Sequence, residues 1–154
     1  MRAIRMKSGE ELDCSDEELR AEGILVQPFD VEATALLTQR FQAERGWAEV
    51  EHVHRSASKP QDESAIVKEA DEHCHLVDEV RLLIEGQGLY DIRSRDEHWL
   101  RIWVRPGDLV VVPARRYHRF LVGHAATLYY VQPYASRSDL MQLYRVSEDD
   151  TRAG

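Results

Sequence analysis

The sequence predicts a mainly β chain, an antiparallel sandwich or small barrel preceded by short helices. From about Val77 onward it breaks into six short apolar or alternating runs: V-R-L-L-I, G-L-Y-D-I-R, W-L-R-I-W-V, D-L-V-V-V, H-R-F-L-V and A-T-L-Y-Y-V. Gly86, Gly88, Pro106, Gly107, Pro113 and Gly123 separate them. Evenly spaced strands with turn residues between them are the pattern of closed or sandwiched antiparallel sheets. Ahead of Val77 the signals are helix caps and helical spacing instead.

Taken in order, Ser15 and Glu18 form a capping box for S-D-E-E-L-R-A-E, which Gly23 can end in a left-handed conformation. Asp30 can cap a second helix running to Arg45. Val31, Ala35, Leu36 or Leu37, and Phe41 lie near one face of it as core packing, and Gly46 is the stop. The polar, proline-containing stretch 55–64 is expected as a flexible connection to the barrel. The tail S-E-D-D-T-R-A-G is expected to fray. No internal repeat is visible.

At 154 residues the expectation is one domain. Twenty basic against 28 acidic side chains give 20 − 28 = −8, a charge that repels phosphate backbones and anionic membranes, so neither is an expected partner. There is no apolar run near the roughly 20 residues needed to span a bilayer, and M-R-A-I-R-M-K-S-G-E-E lacks a signal-peptide core, so a cytoplasmic protein is expected. Only Cys14 and Cys74 are present, too few for a disulfide framework.

The chemistry concentrates in H-C-H-L-V-D-E, which holds His73, His75 and Glu79, and in P-A-R-R-Y-H, which holds His118. On a strand alternate residues face one side, so His73 and His75 point together while Cys74 points away. Glu79, an even step further, returns to that face if the strand continues or bends only slightly, and His118 must come from a neighbouring strand. Three imidazoles and a carboxylate leave two octahedral positions open, suited to Fe(II), Ni(II), Mn(II) or Co(II), with zinc as competitor. His52, His54, His98 and His124 read as ordinary histidines; His52 and His54 repeat the H-x-H step without a following carboxylate. Asp71 and Asp78 read as a solvated acidic face.

The run from His73 to Gly86 matches the first cupin motif: H-x-H, three residues, Glu, six residues, Gly. Gly107, Pro113 and His118 match the second, with Arg115 where that motif has Gly. More closely, E-H-x-H-x-x-x-E-V-R, then L-L-I-E-G-Q-G-L-Y-D-I-R, W-x-R-I-W-V-x-x-G-D-L-V-V-V-P and Y-H-R-F, resembles the acireductone dioxygenase family. The resemblance implies a cupin-type double-stranded β-helix, a jelly-roll barrel, over one domain, 1–154. Residues 1–69 would be a helical N-terminal part, 70–135 the metal-binding core and 136–154 a C-terminal segment.

It also implies one Fe(2+) or Ni(2+) per chain on His73, His75, Glu79 and His118. The substrate would be an enediol, 1,2-dihydroxy-3-keto-5-methylthiopentene, cleaved with O2 in methionine salvage. In the family the iron form yields formate and a 2-keto acid, and the nickel form yields formate, carbon monoxide and a methylthio-carboxylic acid. Arg81 would join Glu79 as a catalytic residue beside the substrate oxygens, with Glu72 as partner of a ligand imidazole; a surface ion pair is the alternative for Arg81.

After His118 the family carries a further Arg and a segment with Phe, Asp and Trp, whereas this chain has T-L-Y-Y-V-Q-P-Y. Tyr129, Tyr130, Gln132 and Tyr134 would form a hydroxyl-bearing wall, with Arg81, Tyr130 and Gln132 binding substrate. Arg115 and Arg116 suggest an anionic ligand unless they are exposed loop arginines. Three functions are therefore carried. The first is the acireductone-type dioxygenase, as monomer or homodimer. The second is a cupin dioxygenase, isomerase, cyclase or lyase acting on another enediol or diketone. The third is a non-enzymatic metal- or sugar-binding cupin.

Overall fold

The computed structural model describes residues 2–123 and 127–146, so His124 and the tail from 147 lie outside the described residues. The strands are β1 (Arg2–Lys7), β2 (Glu10–Asp13), β3 (Leu25–Pro28), β4 (Glu49–Ser56), β5 (His73–Cys74), β6 (Glu79–Glu85), β7 (Gly88–Arg93), β8 (Trp99–Val104), β9 (Asp108–Val112), β10 (His118–Val122), β11 (Thr127–Tyr134) and β12 (Leu143–Tyr144). The helices are α1 (Asp16–Ala21), α2 (Thr34–Arg45) and α3 (Pro60–Ala70), with short 3-10 turns at Val31–Ala33 and Arg137–Leu140. Two antiparallel sheets face each other, one in the order β12-β5-β10-β7-β8-β1-β2 and the other β3-β9-β6-β11-β4. This is the jelly-roll barrel that the strand pattern and the motifs predict.

Strand periodicity builds the core. On β6 the odd positions Glu79, Arg81 and Leu83 face inward, and the even positions Val80 and Leu82 face outward. Leu83 belongs to the cluster between the sheets with Tyr90, Ile92, Leu100, Ile102, Val110, Phe120 and Tyr130. Val80 and Leu82 join Leu109, Val111 and Val131 on the outer face, where Leu37 and Phe41 of α2 and Trp47 cover them. With both faces buried, the central strands of this sheet become near-continuous apolar runs such as L-V-V-V. Side chains with no exposure, such as Leu100, Ile102 and Leu109, each stabilise the fold by about 1.5–3 kcal/mol relative to an exposed position.

The capping box at Ser15 forms as expected, and Gly46 ends α2 at φ 69°. Gly86 between β6 and β7 sits at φ 89°, and a Cβ there would run into the Thr127 carbonyl of β11, so two independent reasons demand glycine.

Two expectations are corrected. The stretch expected to be a flexible connection instead ends β4 at Ser56 and begins α3 at Pro60, which takes the first helical turn where its missing N–H costs nothing. The part expected to be helical also carries β1 to β4: β1 and β2 extend one sheet, while β3 and β4 form both edges of the other. Cys14 and Cys74 are free and buried. Among the described residues no helix is long and apolar enough to cross a membrane.

Candidate metal centre

The chain brings its three imidazoles together by strand pairing. β10 lies between β5 and β7, and His118 stands directly opposite His73 on β5. His75 follows one step beyond the end of β5. The chain then bends through Leu76 and Val77 instead of continuing as a strand, and crosses into the other sheet, where β6 opens on Glu79. Glu79 thus reaches the same space from the opposite wall. The nitrogens of His73, His75 and His118 lie within 4.8 Å of one another, so the three residues could hold one ion. Glu79 closes the group, with Oε1 3.3 Å from His75 Nε2 and Oε2 3.7 Å from His118 Nε2.

Every imidazole is oriented by a backbone carbonyl. Nδ1 of His73 meets the Asp71 carbonyl at 2.6 Å, Nδ1 of His75 the Met141 carbonyl at 3.0 Å, and Nδ1 of His118 the Arg116 carbonyl at 2.9 Å. A carbonyl oxygen only accepts, so Nδ1 carries a proton on each ring and Nε2 faces the shared space, as a lone pair wherever the ring is neutral. The His118 Nε2 is buried and has no hydrogen-bond partner. A buried polar atom without a partner is costly, and a metal ion taking up these Nε2 lone pairs would satisfy it.

These carbonyls replace the partner expected in Glu72. Glu72 instead accepts from Arg93 at 3.2 Å and Arg145 at 3.0 Å on the outer side of the sheet. Asp78 bonds Arg45 at 2.7 Å and the Ala114 N–H at 2.8 Å, away from the imidazoles.

Charge is arranged tightly around Glu79. Burial works against its carboxylate, yet Arg81 foremost, with His118 and His75, holds it well below the usual range. Burial and the neighbouring His118 pull His73 down to about 4. Burial also opposes charge on His75, but the hydrogen bond and negative charge of Glu79 outweigh it and raise His75 overall. The Tyr90 hydroxyl donates to Glu79 Oε2 at 2.9 Å.

Arg81 is not a surface ion pair, with only 7% of its area exposed. Its Nη2 meets Glu69 at 2.5 Å and Glu79 at 3.2 Å, its Nε donates to Gln132 at 3.0 Å, and its guanidinium lies 4.3 Å from the Tyr130 ring. Arg81, Tyr130 and Gln132 are therefore one assembly. Sequence reasoning missed Glu69 and Tyr90. Glu69 is hidden in the acidic run K-E-A-D-E-H, and Tyr90 carries no motif signal; only its inward parity on β7 marks it.

The hydroxyl-bearing wall is corrected. Tyr129 alternates with Tyr130, so it points to the outer face, where its hydroxyl meets His52 Nδ1 at 2.7 Å and its ring stacks on His54 at 4.2 Å. The Tyr130 hydroxyl is taken by Glu69 at 3.3 Å. Arg116 is held by Glu22 at 3.2 Å and by the carbonyls of Glu22 and Arg93. Arg115, the replacement for the motif glycine, is exposed at φ 63°. A cavity of about 10 Å³, room for roughly one water, remains between Arg81, Tyr90, Phe120 and Tyr130. A groove of about 500 Å³ under α2 lies on the opposite face of that sheet.

The model of the ARD/ARD' family matches residues 12–134, which includes all four converging residues. The chain belongs to this family. Acireductone dioxygenase 1 of Physcomitrium patens is 36% identical over 107 residues, covering 68% of this chain and 55% of that protein. Acireductone dioxygenase of Gallus gallus is 34% identical over 108 residues, covering 68% and 59%. The chain thus spans less than two thirds of the length of these curated relatives. The structure of acireductone dioxygenase from Bacillus anthracis, with a cadmium ion in its active centre, superposes with a TM-score of 0.83 over 94% of this chain and 98% of that one. At 19% identity that likeness is one of fold.

Proposed function

We propose that this ARD/ARD' family member is a metal-dependent dioxygenase that cleaves an acireductone-type enediol with O2, as in methionine salvage. The observation that carries the reading is the set of three buried imidazoles, each with Nδ1 tied to a carbonyl, with Nε2 of His75 and His118 lying 3.3 and 3.7 Å from Glu79. His73, His75, Glu79 and His118 would hold one Fe(2+) or Ni(2+), which when bound supplies a Lewis acid with positions for the two adjacent substrate oxygens.

The protein's own groups then have distinct tasks. The carbonyls of Asp71, Arg116 and Met141 fix imidazole orientation before any ligand arrives. The Tyr90 hydroxyl and Arg81 fix the Glu79 carboxylate from two sides. Gln132 and Tyr130 hold the Arg81 guanidinium, whose positive charge favours an electron-rich substrate nearby. With His73 1%, His75 6%, Glu79 5% and His118 2% exposed, water is largely excluded, which strengthens each of these interactions.

A second reading keeps the metal and changes the substrate to another enediol or diketone. Engagement of Arg81 Nη2 by both Glu69 and Glu79 favours it, because that end of the guanidinium is less available to a substrate anion. The two free cysteines fit a reducing, cytoplasmic compartment; the chain is proposed to act as a monomer or homodimer. The test is oxygen uptake and product analysis of the Fe(2+)- and Ni(2+)-loaded protein with acireductone generated in the cuvette, with His118→Ala as blank. Rapid metal-dependent loss of the enediol with formate release is expected. No turnover by protein holding one metal per chain would overturn the substrate and favour the second reading.

A further inference from the structure

The register of the seven-stranded sheet fixes the layout of its outer face. Ile92, Ile102 and Phe120 point into the core, so their neighbours in sequence point out. Directly paired residues share a face, and the outward ones form three rows across the strands. The middle row runs from β10 to β2 as Arg119, Asp91, Arg101, Ile4 and Asp13. One flanking row holds Leu121, Leu89, Trp103 and Arg2, and the other Arg93, Trp99, Met6 and Glu11.

Rings and guanidiniums stack on this face. Arg2 lies 4.5 Å from the Trp103 ring, and Arg93 and Arg119 lie 3.7 and 4.6 Å from the Trp99 ring. Two of the three tryptophans of the chain are here, among Arg, Met and Leu, the residue types enriched where proteins meet. The helices make their main contacts elsewhere, α1 with β3, α2 with β11, and α3 with β10 and β4.

The charges are divided between the two sides. Towards β10, Asp91 is shared by Arg101 at 2.7 Å and Arg119 at 2.8 Å, one carboxylate for two guanidiniums. At the other edge β2 presents the exposed carboxylates of Glu11 and Asp13. β8 is the middle strand of these five. A two-fold axis lying on the face along β8 exchanges the sides, so Arg119 meets the partner's Asp13 at the end of the same row. Trp99 and Trp103 lie on that axis and meet their own copies. Arg101 does too, with its charge compensated by two bonds to Asp91 at 2.7 and 2.9 Å. An axis across the strands would instead set Arg119 against Arg119 and Asp13 against Asp13, and like charges oppose it.

We propose that this chain pairs with a second copy of itself through this face, about a two-fold axis along β8. The inference goes beyond the function proposed above and does not rest on the metal, since His118 points to the inner side of the sheet whose outer side carries Arg119. Five strands about 4.8 Å apart and three rows about 7 Å apart cover on the order of 500 Å² per copy, or about 1,000 Å² in total. That area is at the threshold for specific association, so the dimer is expected to dissociate with a constant on the order of 10 µM.

Sedimentation equilibrium of the purified full chain from about 1 µM to about 200 µM tests this. Wild type is expected to pass from one to two chain masses across that range. Trp103→Glu brings two carboxylates together on the axis, and Asp13→Arg sets a like charge against Arg119; each is expected to weaken the dimer about tenfold or more. Asp13 is on an exposed edge, so its variant keeps the test open should the Trp103 variant fail to fold. Leu36→Glu, on α2 at 62% exposure and far from the face, is expected to dimerise as wild type does. A wild type that stays monomeric at the highest concentration, or that grows beyond two chains, overturns the inference. So does a dimer that Trp103→Glu and Asp13→Arg, both folded by circular dichroism, leave as tight as before.

Discussion

Removing the Tyr90 hydroxyl tests whether Glu79 is held in place for a ligand role. Tyr90 is 2% exposed, and its ring packs against Phe120 with centroids 4.7 Å apart, so Tyr90→Phe leaves the packing intact. What is lost is the donor to Glu79 Oε2 at 2.9 Å. The next neighbour of that oxygen is His118 Nε2 at 3.7 Å, beyond hydrogen-bonding distance, so Oε2 is left buried and bare. A hydrogen bond to a charged group contributes about 1.5–3 kcal/mol. The metal-free variant should therefore melt about 3–12 °C lower, since each kcal/mol moves the midpoint of a chain this size by about 2–4 °C. Loss of an orienting partner of a metal ligand should also weaken metal binding about 10–100-fold. Competition against a chromophoric chelator measures the affinity, and thermal unfolding followed by circular dichroism measures the stability. A variant that melts lower but binds metal as tightly as wild type would refute the claim that Tyr90 positions Glu79 for an ion.

His118→Ala should leave a folded chain, because the strands supply the core, but abolish tight metal binding; undiminished metal content after dialysis would contradict the assignment. Arg115→Gly keeps the Arg115 N–H that bonds the His75 carbonyl at 2.7 Å and removes a non-glycine residue from φ 63°, so a stability gain of about 1 kcal/mol is expected in urea denaturation. Burial acts to raise the Asp91 pKa, but hydrogen bonds from Arg101 at 2.7 Å and Arg119 at 2.8 Å prevail and lower it. A folded-state pKa below the unfolded one gives stability that is present above about pH 4 and lost as pH falls through the folded value. Asp91→Asn should cost about 1.5–3 kcal/mol at neutral pH, the worth of a hydrogen bond to a charged group, with the difference from wild type narrowing in acid; a difference constant down to pH 2 would refute the pairing.

Local chemistry made much of this protein legible. Ser15 with Glu18 announces a helix start because a hydroxyl and a carboxylate three residues apart satisfy each other's backbone donors. The six strands after Val77 show because they combine apolar runs with turn residues, and the H-x-H step with a later Glu and His marks four side chains by spacing alone. The early strands did not show. β4 reads E-V-E-H-V-H-R-S, polar at most positions, and is a strand because β11 offers it eight backbone partners. α3 looked like a linker because Glu69 is its one buried residue, and nothing local says that a buried arginine waits for it.

Spacing alone put His73, His75, Glu79 and His118 on one list. Only the tertiary structure decided what surrounds them. Every residue carries a carbonyl, so no sequence pattern could show that Asp71, Met141 and Arg116 orient the imidazoles while Glu72 turns outward to Arg93 and Arg145. The parity of β11 likewise sends Tyr130 to the interior and Tyr129 to the outer face, a one-residue step that sequence composition does not encode. Which side chains are candidate ligands follows from residue type and spacing, which are local; orientation, burial and charge balance follow from which strands lie side by side, which only the folded chain determines.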